Sequence, residues 1–189
     1  MRVVQGGGPR LASLSAIRLA RKGLAIRAGM GALAGAVVVA DQVTKAWAIH
    51  HLTAPRHILG PLWFTLTFNS GAAFGLGSGD SAFVVVIDVV LVVGLLAFVL
   101  ASRPSRTAAV GLGLLLGGAA ANLVGRFFGP SRGTAGVDFI DAVRVGTHDY
   151  WPVFNVADMA IVIGLALVLL EQVTKPVRRP ARRPAGSRT

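Results

Sequence analysis

Long runs of apolar residues, separated by short polar segments, dominate the pattern of this chain. Four runs stand out, at about residues 28–49, 82–101, 107–125 and 153–172. Each has the roughly 20 residues that an α-helix needs to cross about 30 Å of hydrocarbon. The pattern therefore predicts an all-α membrane protein with four transmembrane helices.

The charged residues lie mostly at the two ends of the chain. Only 14% of the residues are charged, and the net charge is +11. Fourteen of the 19 Lys and Arg residues lie in the two tails and in the short loop between the second and third runs. The positive-inside rule then places both termini in the cytoplasm. We expect basic cytoplasmic tails at residues 1–27 and 173–189 around a membrane domain at residues 28–172.

A different periodicity occurs in the first outer loop, between the first two runs. Apolar residues take every second position from Leu62 to Phe68, and threonine takes two of the positions between them. Such alternation is typical of a β-strand, and Asn69-Ser70-Gly71 marks a turn after it. We therefore expect a small extracytoplasmic β-like segment at the membrane surface.

Composition removes several classes of function. The chain has no cysteine, which excludes disulfides, cysteine-based metal sites and thiol catalysis. Its four histidines fall in outer loops without the spacing of a helical metal site, so we expect no metal. The basic tails are interpreted as topology signals that contact membrane lipids, not nucleic acid. A cleavable signal peptide ending at Val38-Val39-Ala40 is an alternative for the first run.

Acidic residues in or beside the apolar runs are the candidates for chemistry, because carboxylates are costly there. If Pro152 begins the fourth helix, Asp158 lies about 9 Å below the outer surface, with Asn155 one turn above it. Asp138 lies in the preceding outer segment, and a loop folded back to the membrane would bring it to Asp158. Two adjacent carboxyls share one proton, as in aspartic proteases, where one takes a proton from water and the other polarises the scissile carbonyl. On spacing alone, a structural or transport role for Asp158 is favoured over a catalytic one.

Five short motifs carry a resemblance to a known family. They are, in chain order, 41–45 (DQVTK), 68–75 (FNSGAAFG), 117–126 (GGAAANLVGR), 137–141 (VDFID) and 151–158 (WPVFNVAD). In residue type and order they resemble the lipoprotein signal peptidases (type II signal peptidases), which are bacterial intramembrane aspartic proteases. The resemblance covers about residues 28–172 and implies a multi-pass protein of the bacterial cytoplasmic membrane with its active site near the outer face.

The resemblance also implies an activity and a set of site residues. A family member removes signal peptides from diacylglyceryl-modified prolipoproteins, cleaving before the lipidated cysteine, and needs no cofactor. The catalytic pair would be Asp138 and Asp158. The residues that would contact substrate are Asn69, Asn122, Arg126 and Asn155. Asp41 and Lys45 would support the structure or the rim of the site, and lipidated prolipoproteins and membrane lipids would be the partners of a monomeric protein.

The third motif departs from the family pattern Gly-Asn-x-x-Asp-Arg. Here Ala121 replaces the glycine and Gly125 replaces the acid before Arg126. The lost acid leaves the orientation of Arg126 open, and an inactive paralogue remains an alternative. Asp88, at a depth similar to that of Asp158, either pairs with Arg126 or stays a lone protonated carboxyl facing the bundle. The sequence favours the lone carboxyl.

Two further interpretations are not enzymatic. A small transporter or channel would use Asp158 and Asp88 as proton or ion sites, although no inverted repeat supports this. A scaffold that acts through its tails would use the spans as anchors. Asp141, three residues after Asp138, is expected to be solvated.

Overall fold

The structure, a computed structural model, describes residues 9–69, 81–129, 135–146 and 148–174. Within these residues, four helices are long and apolar enough to cross a membrane. They are α1 (Pro9–His51), α2 (Ser81–Ala101), α3 (Arg106–Phe128) and α4 (Val156–Thr174). The predicted four-helix membrane fold is confirmed.

Two helix boundaries differ from the sequence prediction. α1 has 43 residues, so it is about 65 Å long, and the predicted run 28–49 forms only its C-terminal half. α4 begins at Val156, because the residues just before it are held in extended pairing with a strand, through Phe154. The placement of Asp158 almost two turns below the start of the helix was therefore wrong, and Asp158 lies in the first turn.

Close packing of α3 against its neighbours depends on glycine. A Cβ added at Gly117 would lie 2.8 Å from the Cα of Ala34 in α1, and one added at Gly118 would lie 2.5 Å from the carbonyl oxygen of Ala157 in α4. Real Cβ atoms do not approach other atoms so closely, so these positions allow the helix backbones to come together. α3 is thus held between α1 and α4.

A small antiparallel sheet lies at the C-terminal end of α1. Its strands are β1 (Arg56–Leu59), β2 (Leu62–Asn69) and β3 (Gly136–Asp141), in the order β1-β2-β3. A separate two-stranded hairpin consists of β4 (Arg144–Val145) and β5 (His148–Asp149). The predicted strand is confirmed as β2, whereas most of the predicted turn at residues 69–71 lies outside the described residues.

The simple alternation expected for β2 breaks in its middle. The register with β3 shifts between Phe64 and Thr67, and Phe68 is 54% exposed instead of facing a core. Phe64 instead packs edge-to-face on Trp47 of α1 and Phe139 of β3, with ring centroids 5.7 Å and 5.8 Å apart. This aromatic cluster fixes the sheet on the end of α1.

β3 is paired on both of its edges. Asn69 at the end of β2 is the register partner of Gly136. On the other edge, the Ile140 N–H donates to the Phe154 oxygen at 2.8 Å, and the Phe154 N–H donates back at 3.0 Å. Asp138 is therefore placed between the end of β2 and the segment that leads into α4.

Candidate active site

The first turn of α4 is closed by a reciprocal pair of side-chain caps. The Asn155 Oδ1 accepts the backbone N–H of Asp158 at 3.0 Å. The Asp158 Oδ2 in turn accepts the backbone N–H of Asn155 at 3.1 Å. This is a capping box, in which two otherwise unpaired backbone donors are satisfied together. It fixes the orientation of the Asp158 carboxyl relative to the helix.

Three asparagine amides connect the two predicted catalytic carboxyls. The Asn155 Nδ2 donates to the Asp138 Oδ1 at 2.7 Å. The Asn69 Nδ2 donates to the other Asp138 oxygen at 3.1 Å. The Asn122 Nδ2 donates to the Asp158 Oδ1 at 2.9 Å. Asn155 thus bridges the pair, since its side chain binds Asp138 while its backbone binds Asp158.

The two carboxyls lie in different surroundings. Asp138 is only 4% exposed. Burial, and secondarily the charge of Asp158, raises the pKa of Asp138 to about 6, although the hydrogen bonds from Asn69 and Asn155 oppose this rise. Asp158 is partly exposed and lies at the N-terminus of α4, where the helix dipole favours negative charge. The arrangement can therefore hold one ionised and one protonated carboxyl.

A buried ion pair lies next to this site. The Lys45 Nζ is 2.7 Å from the Asp41 Oδ2, and both side chains are almost fully buried. Lys45 also donates to the Asn122 Oδ1 at 3.2 Å, and Asp41 accepts the backbone N–H of Ala157 at 3.0 Å. The pair therefore joins α1 to the amide on α3 and to the first turn of α4.

Arg126 is paired with Asp88, contrary to the interpretation that the sequence favoured. The Arg126 Nε lies 2.8 Å from the Asp88 Oδ2. A guanidinium within reach stabilises a carboxylate that would otherwise be buried alone in an apolar helix. A side chain at position 125 would instead lie beside α1, since a Cβ added at Gly125 would be 3.4 Å from the Lys45 Nζ. The Asp88 carboxylate therefore does not occupy the place of a side chain at position 125.

The prediction that Asp141 is solvated was also wrong, because its side chain is fully buried. The Arg144 Nη1 lies 3.5 Å from the Asp141 Oδ2, and the Thr65 hydroxyl donates to the same oxygen at 3.4 Å. Residues three apart on a strand point to opposite faces, so Asp141 and Asp138 diverge along β3. Asp141 belongs to the contact between β3 and the following hairpin.

All eight predicted site residues belong to one connected network, since the Arg126 Nη1 lies 3.5 Å from the Asn69 carbonyl oxygen. Sequence reasoning missed two features of this network. The capping box has the signature of a cap residue followed three positions later by an acid, which is readable at Asn155 and Asp158. Gln42, whose Nε2 donates to the Ala121 carbonyl at 3.1 Å, lies within the first motif but was given no role.

Comparisons with known proteins show which family this chain resembles in sequence and in fold. A family model described as signal peptidase (SPase) II matches residues 33–174. A lipoprotein signal peptidase from Geobacillus thermodenitrificans is 36% identical over 142 residues, which cover 73% of this chain and 85% of that protein. One from Syntrophomonas wolfei is 38% identical over 138 residues, covering 71% and 85%. A solved bacterial membrane enzyme superposes with a TM-score of 0.68 at 27% identity, covering 82% of this chain and 94% of that one.

Proposed function

Because the chain belongs to the signal peptidase II family of membrane peptidases, we propose that it removes signal peptides from diacylglyceryl-modified prolipoproteins by aspartic catalysis, cleaving before the lipidated cysteine. One observation carries the catalytic part of this proposal. Asn155 joins a buried carboxyl, Asp138, to a carboxyl at a helix N-terminus, Asp158. Two carboxyls in unlike surroundings are what acid and base roles require.

The surroundings assign a role to each carboxyl. Asp158 is the ionised base, because two N–H donors and the start of α4 stabilise its negative charge. Asp138 is assigned the acid role, because burial raises its pKa to about 6 and so makes it hold a proton more readily than an ordinary aspartate. A bound substrate that excludes water disfavours the charged form of Asp138 further.

The reaction then proceeds in two balanced steps. Asp158 takes a proton from water while the oxygen attacks the scissile carbonyl, and Asp138 gives its proton to the carbonyl oxygen. In the resulting tetrahedral diol, Asp138 takes back a hydroxyl proton and Asp158 gives its proton to the leaving nitrogen as the C–N bond breaks. The carboxyls end as they began, and the products are a carboxylic acid and the new amine.

The amides and the guanidinium around the dyad supply the remaining groups. Donors held in place before the reaction stabilise the charge that develops on the carbonyl oxygen more effectively than water does. We assign substrate contact to Asn69, Asn122, Arg126 and Asn155. The Asp41–Lys45 pair stabilises these four residues through its contacts to Asn122 and to the first turn of α4.

Exposed apolar side chains near the sheet suit a position at the membrane surface. Leu59 is 75% exposed, and Phe68, Tyr150 and Trp151 are exposed as well. Aromatic residues are enriched where a protein crosses the interface. We infer that this end faces the outer leaflet, with both termini in the cytoplasm. Substrate acyl chains then stay in the bilayer while the peptide reaches the dyad.

The proposal is tested with the purified full chain in proteoliposomes and a precursor in lipidated and unlipidated forms. We expect cleavage of the lipidated form alone, with a product that begins at the lipidated cysteine by mass spectrometry. Equal cleavage of both forms, or cleavage elsewhere, would contradict the substrate assignment. No cleavage, under conditions in which a typical family member is active, would favour the inactive paralogue.

A further inference from the structure

The Asp88–Arg126 ion pair connects α2, which contains none of the eight predicted site residues, to the last turn of α3. The Nε and Oδ2 atoms are 2.8 Å apart, and the side chains are 8% exposed for Arg126 and 17% for Asp88. Both residues belong to membrane-spanning helices, where an unpaired charge is costly. The pair therefore holds the Arg126 guanidinium beside the Asp88 carboxylate.

In that position the guanidinium lies against the end of the strand pair that carries Asp138. The Arg126 Nη1 is 3.5 Å from the Asn69 carbonyl oxygen, and a Cβ added at Gly136 would be 3.7 Å from the Nη2. Asn69 and Gly136 are register partners at this end of β2 and β3. The Asn69 side chain is also the one that donates to the Asp138 Oδ2. A continuous line of contacts thus runs from Asp88 to the dyad.

We propose that Asp88 is a positioning residue for the hydrolysis: it holds Arg126 against the Asn69 backbone and so keeps the Asn69 amide on the Asp138 carboxyl. This inference rests on the function proposed above. It also gives a role to the departure at Gly125, since Arg126 takes a counter-ion from α2 where its own helix offers no adjacent acid. The second helix then contributes to the site without touching the substrate.

A double-mutant cycle in kcat tests this inference, with the full chain in proteoliposomes and a lipidated precursor. Asp88→Asn should lower kcat about tenfold and leave KM within about twofold, because the displaced Arg126 and Asn69 groups act on the dyad and on the charge that develops in the transition state. Asp88→Glu keeps the charge and should retain at least about half of the wild-type kcat. In an Arg126→Gln background, Asp88→Asn should lower kcat hardly any further, because the effects of two residues that act through one another do not add.

Asp149→Asn is the matched control, since it removes a carboxylate 3.6 Å from the Arg144 guanidinium, a pair that none of the eight site residues contacts. It should leave kcat unchanged. The inference would be overturned if the kcat losses of the two single variants multiplied in the double variant. It would also be overturned if Asp88→Asn kept the wild-type kcat. If Asp88→Asn does not accumulate as folded protein, the comparison of the double variant with Arg126→Gln still decides. The two should have the same kcat, and a further several-fold loss in the double variant would overturn the inference.

The two proposals fail in different ways. A wild-type protein that cleaves no lipidated precursor would contradict the proposed function itself. A wild-type protein that cleaves normally, together with an unaffected Asp88→Asn variant, would contradict only the positioning role of Asp88.

Discussion

Replacing Asp138 by asparagine should remove a loss of stability that the wild type undergoes as the pH rises, and it should also abolish activity. The folded-state pKa of about 6 lies above the ordinary value of 3.8, so the stabilising contribution of the protonated carboxyl is present below about pH 4 and is lost as the pH rises through 6. A rise of about two pKa units corresponds to about 3 kcal/mol. Position 138 no longer titrates in the Asp138→Asn variant, which should gain most of that, about 2.5 kcal/mol relative to the wild type, between pH 4 and pH 8.

The assay is the free energy of unfolding of both proteins in mixed micelles at the two pH values, followed by tryptophan fluorescence. Titrating groups that do not interact with Asp138 cancel when the variant is compared with the wild type at each pH. Thr67→Val is the control, because Thr67 is the register partner of Asp138 on β2 and does not titrate. Its difference from the wild type should be the same at both pH values. An Asp138→Asn difference that is independent of pH, or that falls as the pH rises, would refute the reasoning.

Three other predictions concern packing, the buried ion pair and topology. Asp41→Asn leaves Lys45 buried without its counter-ion and should lower the free energy of unfolding by about 3 kcal/mol, with part restored by adding Lys45→Met; an unchanged denaturation curve would contradict this. Gly118→Ala should lower both the unfolding midpoint and turnover, because its Cβ would lie 2.5 Å from the Ala157 oxygen of α4, beside Asp158. Gly125→Ala should be tolerated, because its Cβ would make only an ordinary contact, 3.4 Å from the Lys45 Nζ. Equal effects of the two alanines would count against this packing. Reporter fusions near residues ~75 and ~145 should read outside, and those near ~104 and at the C-terminus inside; a cytoplasmic readout near ~145 would overturn the orientation.

The sequence predicts the helices well because a span depends on a local run of apolar residues. Its errors lie where tertiary contacts override local signals. Pro152 is a good helix start, yet α4 begins at Val156 because Phe154 is paired with Ile140 of β3. The alternation in β2 likewise gives way where Phe64 packs against Trp47.

The residues of the candidate site were named by resemblance, but their connections required the fold. Nothing in the local sequence reveals that Asn69 donates to Asp138, because these residues are 69 positions apart. For Asp88 the sequence favoured a lone protonated carboxyl, and only the helix arrangement shows its carboxylate 2.8 Å from the Arg126 Nε. Asp141 was misjudged because its burial comes from the hairpin after β3, which the sequence analysis did not predict.

The most direct test of the account is turnover per folded molecule for Asp138→Asn and Asp158→Asn in the same membrane preparation. Asparagine keeps the size of aspartate but can neither act as a base nor carry the shared proton. We predict that each variant reaches near-normal levels in the membrane yet cleaves almost no lipidated precursor, and that the double variant is little worse, because the carboxyls act as a unit. If either variant kept about a tenth or more of wild-type turnover, that carboxyl would not be part of the catalytic pair.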